Sequence, residues 1–150
     1  MKVTYSDLKN KRVFISGGGS GIGATIVEYF CEQKSEVYFI DIDLKSSNKL
    51  IKKIKKKGFR VPKFIECNIL DVKKLQNIIK DIISKKGAIH CLINSAANDD
   101  RHTTEQVDEK YWENRMGINL KHYFFAAQAV VKGMKKIKSG SIVNLSSVSW

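Results

Sequence analysis

Ser16-Gly-Gly-Gly-Ser-Gly-Ile-Gly23 lies between an apolar, strand-like run, Arg12-Val-Phe-Ile-Ser16, and an amphipathic, helix-like run that starts near Ile22. Residues without Cβ let backbone N–H groups come close to a pyrophosphate, and the first turn of a helix adds unpaired donors and the positive end of its dipole. A glycine turn that feeds a helix is therefore read as a phosphate cradle, and the expected ligand is a dinucleotide. Gly17, Gly21 and Gly23 give the spacing G-x-x-x-G-x-G, while Gly19, Gly21 and Ala24 also fit the looser G-x-G-x-x-A pattern. Taken alone, such a run also suits a plain turn before a helix, so its flanks decide.

Those flanks repeat along the chain. Arg12-Val-Phe-Ile-Ser16, Glu36-Val-Tyr-Phe-Ile-Asp41, Pro62-Lys-Phe-Ile-Glu66, Cys91-Leu-Ile-Asn94 and Ser141-Ile-Val-Asn-Leu-Ser146 are short β-branched or aromatic runs separated by helical patterns. Such alternation argues for βαβ units and a parallel, doubly wound α/β sheet. Leu75, Ile78, Ile79, Ile82 and Ile83 recur at helical spacing between an N-terminal acid, Asp71, and a stop at Gly87. Over residues 105–138 a longer helical pattern places Tyr111, Met116, Leu120, Phe124, Ala127 and Val131 on one broad apolar face, without showing where the helix breaks. No repeat, linker or boundary divides the chain, so residues 1–150 are expected to form one domain. Ligands of such sheets lie beyond the carboxyl ends of the strands. That singles out the glycine turn, Asp41, Cys67-Asn68-Ile69, Asn94-Ser-Ala-Ala97 and Ser146-Ser147.

The formal charge of +12 raises the question of a polyanion partner. The lysines, however, spread over residues 45–57, 73–86 and 132–138, interleaved with apolar residues as on solvated helix faces, and no nucleic-acid module accompanies them. No nucleic-acid partner is expected. Cys31, Cys67 and Cys91 fall inside expected helices and strands without a C-x-x-C pair, so they read as reduced and inert, and no metal site is expected. No run approaches the roughly 18 apolar residues of a membrane helix, and the amino end has no leader-like apolar stretch. A cytoplasmic protein without membrane contact is the expectation.

Asp41 lies about twenty residues beyond Gly21, where an acid accepts hydrogen bonds from the adenosine ribose hydroxyls. A 2′-phosphate there would face a carboxylate, so NAD is the expected cofactor. Asp43 reads as a helix N-cap, with Lys45 close enough to soften the repulsion.

Together these pieces resemble the short-chain dehydrogenase/reductase family over nearly the whole chain. The turn from Ser16 to Gly23 is similar to the family's T-G-x-x-x-G-I-G, and Leu92-Ile-Asn-Ser-Ala-Ala97 to its N-N-A-G strand end. Asn119 in Gly117-Ile-Asn-Leu120 falls on its helix asparagine, and Gly140-Ser-Ile-Val-Asn-Leu-Ser-Ser147 is similar to its catalytic-serine strand. The resemblance implies a Rossmann-type fold. It also implies a dinucleotide held by Gly17, Gly19, Ser20, Gly21, Ile22, Gly23, Asp41, Asn68, Ile69, Asn94 and Ala96. Ser147 would hydrogen-bond the reacting oxygen, and the Asn119 main-chain carbonyl would anchor a water in a proton relay. Ser95 and Ala97 depart from N-N-A-G, and Asn68 stands where the family usually has an aspartate, but none of these changes removes a reacting group.

A narrower resemblance, to aldose dehydrogenases, rests on Ala96-Ala-Asn-Asp-Asp-Arg-His102, Lys121-His-Tyr-Phe-Phe-Ala-Ala-Gln-Ala-Val130 and Ser147-Val-Ser-Trp150. It implies oxidation of a sugar at C1 to its lactone, with Asn98, Asp99, Asp100, Arg101, His102, Ser147 and Trp150 as candidates for holding the polyol. A solvated loop with an Asp–Arg contact is an equally open reading of that loop.

The family's Tyr-x-x-x-Lys pair, which the resemblance places after the serine, is absent, and Tyr5-Ser-Asp-Leu-Lys9 precedes the first strand. The 150 residues are thus expected to be an N-terminal portion, with the sheet incomplete on its C-terminal side. They should bind the cofactor without turnover, and the full-length form is expected to be a homo-oligomer. A 3-oxoacyl or steroid reductase on the same scaffold, or a dinucleotide-binding module without catalysis, remain the alternatives.

Overall fold

In the computed structural model, which describes residues 3–147, the apolar runs become five parallel strands. They are β1 (Arg12–Ser16), β2 (Glu36–Asp41), β3 (Lys63–Glu66), β4 (Cys91–Asn94) and β5 (Ser141–Asn144), side by side in the order 3-2-1-4-5. The chain starts at the centre, steps outward through β2 and β3, then returns to the other side of β1. The order therefore reverses between β1 and β4, which is where an open α/β sheet leaves a crevice at its carboxyl edge. Register pairs Ser16 with both Ile40 and Asn94, and Asn94 with Asn144, so four strand ends lie level at that edge.

Helices α1 (Gly21–Glu32) and α2 (Leu44–Lys56) cover one face, over Val13, Ile15, Val27, Phe39, Leu50 and Ile54. Helices α3 (Val72–Lys86) and α5 (His122–Lys136) cover the other, over Phe14, Ile40, Leu75, Ile79, Leu92 and Val130. With both faces covered, β1 and β2 need apolar residues at successive positions, which is why they read as unbroken runs rather than alternations. At the edge, β5 differs: Ile142 and Val143 are 40% and 42% exposed, and among the described residues it pairs with β4 alone.

Short polar devices set the helix limits. Asp43, Asp71 and Asp108 accept backbone N–H bonds from Ser46, Lys74 and Tyr111, capping α2, α3 and α4 (Glu109–Met116). Gly87, at φ +88°, ends α3 as its position in the sequence suggests.

The long helical pattern of residues 105–138 divides into α4, a π-helical turn at Gly117–Lys121, and α5. A π turn carries an extra residue, which advances everything after it by about 100° around the axis. Consequently α5 buries His122, Tyr123, Ala126, Val130 and Met134, whereas Phe124 and Val131 of the apolar stripe read from sequence are exposed; Met116, before the turn, and Leu120, within it, are exposed as well. The burial phase predicts unequal mutational costs. In urea denaturation, Met134→Ala should lose about 2–5 kcal/mol and Phe124→Ala less than about 0.5 kcal/mol; the reverse order would show that the helix faces the other way.

Candidate active site

The glycine turn is shaped by what its missing side chains would strike. A Cβ on Gly23 would lie 1.9 Å from the Gly17 carbonyl oxygen, and one on Gly17, at φ +68°, would lie 2.6 Å from the Ala96 Cα. The start of α1, the end of β1 and the end of β4 thus touch backbone to backbone. Gly17 and Gly18 donate to the Ile40 carbonyl at 2.9 and 3.1 Å, docking the turn on β2. Gly21 is different: at φ +52° it needs the left-handed region, yet a Cβ there would meet nothing within 4 Å. Ser20 occupies the N-cap of α1 without a side-chain cap bond, which leaves the first-turn N–H groups to a ligand.

A cleft of about 850 Å³ opens above these strand ends. Gly17, Ser20, Gly21, Ile22 and Gly23 line its middle, Asp41, Asn68 and Ile69 one end, and Ala96, Asn98, Asp99 and Ser147 the other. The turn fits a dinucleotide: its open side is at Gly21, and its closed sides are backbone contacts that a larger residue would break.

At the first end Asp41 is held by two backbone donors, Gly19 N–H on Oδ2 at 2.8 Å and Asp43 N–H on Oδ1 at 2.9 Å. Both oxygens keep a further lone pair for a vicinal diol. Gly19 itself does not line the cleft; it sits behind Asp41, where a Cβ would come within 2.9 Å of the carboxylate. Asn68 is exposed and spends Oδ1 on the Leu70 N–H at 3.0 Å, so its amide N–H₂ is what it offers a base.

At the other end, fully buried Ser16 accepts the N–H groups of Ser95 and Ala96 on its hydroxyl oxygen at 3.1 and 3.3 Å. The same oxygen lies 3.2 Å from Nε2 of His122, whose Nδ1 is 2.6 Å from the Ile118 carbonyl. Burial lowers the His122 pKa to about 4, so the ring is neutral over the physiological range. Asn94 is buried below the cleft and donates to Asn144 Oδ1 at 2.8 Å, which makes it a brace between β4 and β5. Tyr123 donates its phenolic hydrogen to the Leu145 carbonyl at 2.8 Å, two residues before Ser147.

Asn119 sits in the π turn and exchanges two bonds with the loop after β4: Asn98 N–H to its Oδ1 at 2.8 Å, and its Nδ2 to the Asn98 carbonyl at 2.9 Å. Its side chain is thereby used to hold the loop. Asp100 is ion-paired to Arg115 at 2.8 Å, and Arg115 stacks over the Tyr111 ring, whose hydroxyl lies 2.8 Å from His102 Nδ1. The loop's Asp–Arg contact therefore reaches α4 rather than the neighbouring Arg101, which is exposed and away from the cleft. Trp150 lies outside the described residues. Tyr5 is at the opposite, amino-terminal edge of the sheet, its N–H bonded to Gln33 Oε1. The three cysteines are free thiols pushed up in pKa by burial, Cys31 to about 12.

Sequence reasoning missed Ser16, His122 and Tyr123 as site-building groups. The available signal was a histidine and a tyrosine in an apolar helix, which periodicity treats as core.

The model for short chain dehydrogenases matches residues 11–149. A Rhizobium meliloti (strain 1021) protein named "Probable galactose dehydrogenase" is 38% identical over 97% of this chain and 57% of its own length. A D-xylose 1-dehydrogenase of Caulobacter vibrioides (strain NA1000 / CB15N) is 39% identical over the same shares. The crystal structure of a gluconate 5-dehydrogenase from Burkholderia cenocepacia J2315, in complex with NADP and tartrate, superposes with a TM-score of 0.81 at 26% identity, covering 93% of this chain and 55% of that one. The chain thus spans little more than half the length of these relatives.

Two outcomes test the geometry. Gly23→Ala should abolish dinucleotide binding or folding, whereas Gly21→Ala should keep the fold and lose about 1–2 kcal/mol to backbone strain; equal effects would refute the contact at Gly17. Because unfolding raises the His122 pKa from about 4 toward 6.5, the unfolded chain binds the extra proton between those values. This contribution to stability is complete above pH 6.5 and is lost as the pH falls to 4, by up to about 3 kcal/mol. The difference in unfolding free energy between the natural chain and His122→Gln, measured across that window, should show the slope, and a flat difference would refute it.

Proposed function

The chain belongs to the short chain dehydrogenase family, and from that premise we propose that it is the dinucleotide-holding portion of an NAD-dependent oxidoreductase acting on a CH–OH group. The observation that carries the cofactor is the Asp41 carboxylate, fixed by Gly19 and Asp43 at the cleft end next to the glycine turn. Such a carboxylate suits the two ribose hydroxyls of NAD and repels a 2′-phosphate. The gluconate 5-dehydrogenase structure is in complex with NADP, so the NAD reading for this chain rests on this side chain. It also weighs against the acyl-reductase alternative, which usually runs on the phosphorylated cofactor.

The substrate reading is an aldose oxidised at C1 to its lactone. It is supported by the galactose and xylose dehydrogenases among the relatives and by the polar end of the cleft, where Asn98, Asp99 and Ser147 offer partners to sugar hydroxyls. A nicotinamide dinucleotide held by the glycine turn and Asp41 would supply hydride-accepting chemistry beside this polar end. Ser147, three residues beyond β5, would hold the reacting oxygen by its hydroxyl. Asn119 would keep the Asn98 loop in place, leaving its main-chain carbonyl for a water. Among these 150 residues the one tyrosine with lysine four residues later is Tyr5, at the opposite edge of the sheet from the cleft. The 150-residue chain is therefore proposed to bind without turnover, as a cytoplasmic protein whose partners are small molecules.

Calorimetric titration of the chain with NADH and NADPH tests this. NADH should bind at least about tenfold more tightly, a difference of about 1.4 kcal/mol, and Asp41→Ala should bring the two affinities together. Equal or tighter binding of NADPH by the natural chain would overturn the cofactor assignment. Aldose-dependent NADH formation by the same 150 residues would overturn the proposal that they lack turnover.

A further inference from the structure

We propose that His122 is a positioning residue for the nicotinamide end of the cleft: by accepting the Ser16 hydroxyl hydrogen, it makes Ser16 the double acceptor that seats Ser95 and Ala96 against Gly17. The proposal rests on the dinucleotide reading above and adds to it the group that sets the far half of the site.

The argument is one of donors and acceptors. A serine hydroxyl has one hydrogen and two lone pairs. Two N–H groups, of Ser95 and Ala96, already point at the Ser16 oxygen. Its hydrogen must therefore go to a third partner, and the group in reach is His122 Nε2 at 3.2 Å. A ring nitrogen can accept only if it carries no hydrogen, which puts the ring hydrogen on Nδ1. Nδ1 is the atom 2.6 Å from the Ile118 carbonyl, a group that can only accept. One tautomer satisfies every partner, and the edge-on Tyr123 ring, 4.4 Å away between centroids, packs against the imidazole.

The two ends of this chain of bonds, Ala96 and Ile118, line the cleft, whereas Ser16 and His122 are wholly buried beneath it. His122 thus acts on the site through Ser16. The end it acts on is opposite Asp41: a dinucleotide whose adenosine ribose is at β2 and whose pyrophosphate is at the glycine turn puts its remaining half over β4 and β5. An apolar residue at 122 would leave the Ser16 hydrogen without an acceptor in a buried place. The hydroxyl would then turn toward the N–H groups it now receives, and the Ser95-Ala96 turn would loosen.

The experiment compares two probes on the 150-residue chain by calorimetry: ADP, which occupies only the adenosine and pyrophosphate positions, and NADH, which occupies both halves. His122→Leu should weaken NADH by at least about fivefold while leaving ADP within about twofold. His122→Gln, whose Oε1 can accept from Ser16, should recover most of the NADH affinity. Equal weakening of both probes, an unchanged NADH affinity, or a Gln variant no better than Leu would overturn the role of His122. If the natural chain binds neither probe, the dinucleotide reading fails and takes this inference with it. Nitrogen NMR of the natural chain supplies a measurement that no variant's folding can disturb: hydrogen on Nδ1 and a bare Nε2 are expected, and the opposite tautomer would overturn the proposal.

Discussion

The close backbone contact among Gly17, Gly23 and Ala96 is the constraint on which the rest of the structure depends. It joins the end of β1, the first turn of α1 and the end of β4 within the space that side chains on the two glycines would otherwise occupy. The strand order reverses at the same point, so the tightest packing and the opening of the cleft coincide. Only four residues separate the helix from the strand end, and its unpaired N–H groups are consequently delivered to the centre of the cleft rather than to its rim.

Parallel strands align the residues within a sheet, but side chains align the loops beyond it. Here that task falls to a few buried polar groups. Ser16 and His122 tie β1, the loop after β4 and the π turn together, Asn94 and Asn144 tie β4 to β5, and Tyr123 holds the carbonyl of Leu145. Each bond satisfies a group whose burial would otherwise be costly. The outer charge is arranged more simply. The lysines of α2 are exposed, and Lys53 and Lys57 both reach Glu28 on α1, whose pKa they lower. These are solvated faces, as their spacing in the sequence indicates.

Much of this was legible in the sequence because it is local. The glycine turn, the limits of β1, β2 and β4, the capping acids Asp43 and Asp71 and the stop at Gly87 each follow from backbone chemistry within a few residues. The third strand begins at Lys63 rather than Pro62, and the fifth ends at Asn144 rather than Ser146, because pairing rather than composition sets those ends. What was not legible is set at long range. The π turn at Gly117–Lys121 has no strong local marker, and the phase change it imposes moved the buried face of α5 off the stripe that periodicity suggested. The partners of Ser16 lie 79 and 106 residues away, so no window of sequence contains them. The same holds for Asn119, whose side chain is spent on the Asn98 backbone, and for Asp100, whose partner is Arg115 on the next helix.

The central claim is that the level strand ends form one dinucleotide site, with the adenosine half at Asp41 and the nicotinamide half at Ala96. It is tested most directly by following backbone amide resonances of the chain while NAD is added. Shifts should concentrate at Gly17, Gly21, Ile22, Gly23, Asp41, Asn68 and Ala96, with the lysine-rich outer faces of α2 and α3 unmoved. Shifts confined to those lysine faces, or none at saturating NAD, would contradict the account.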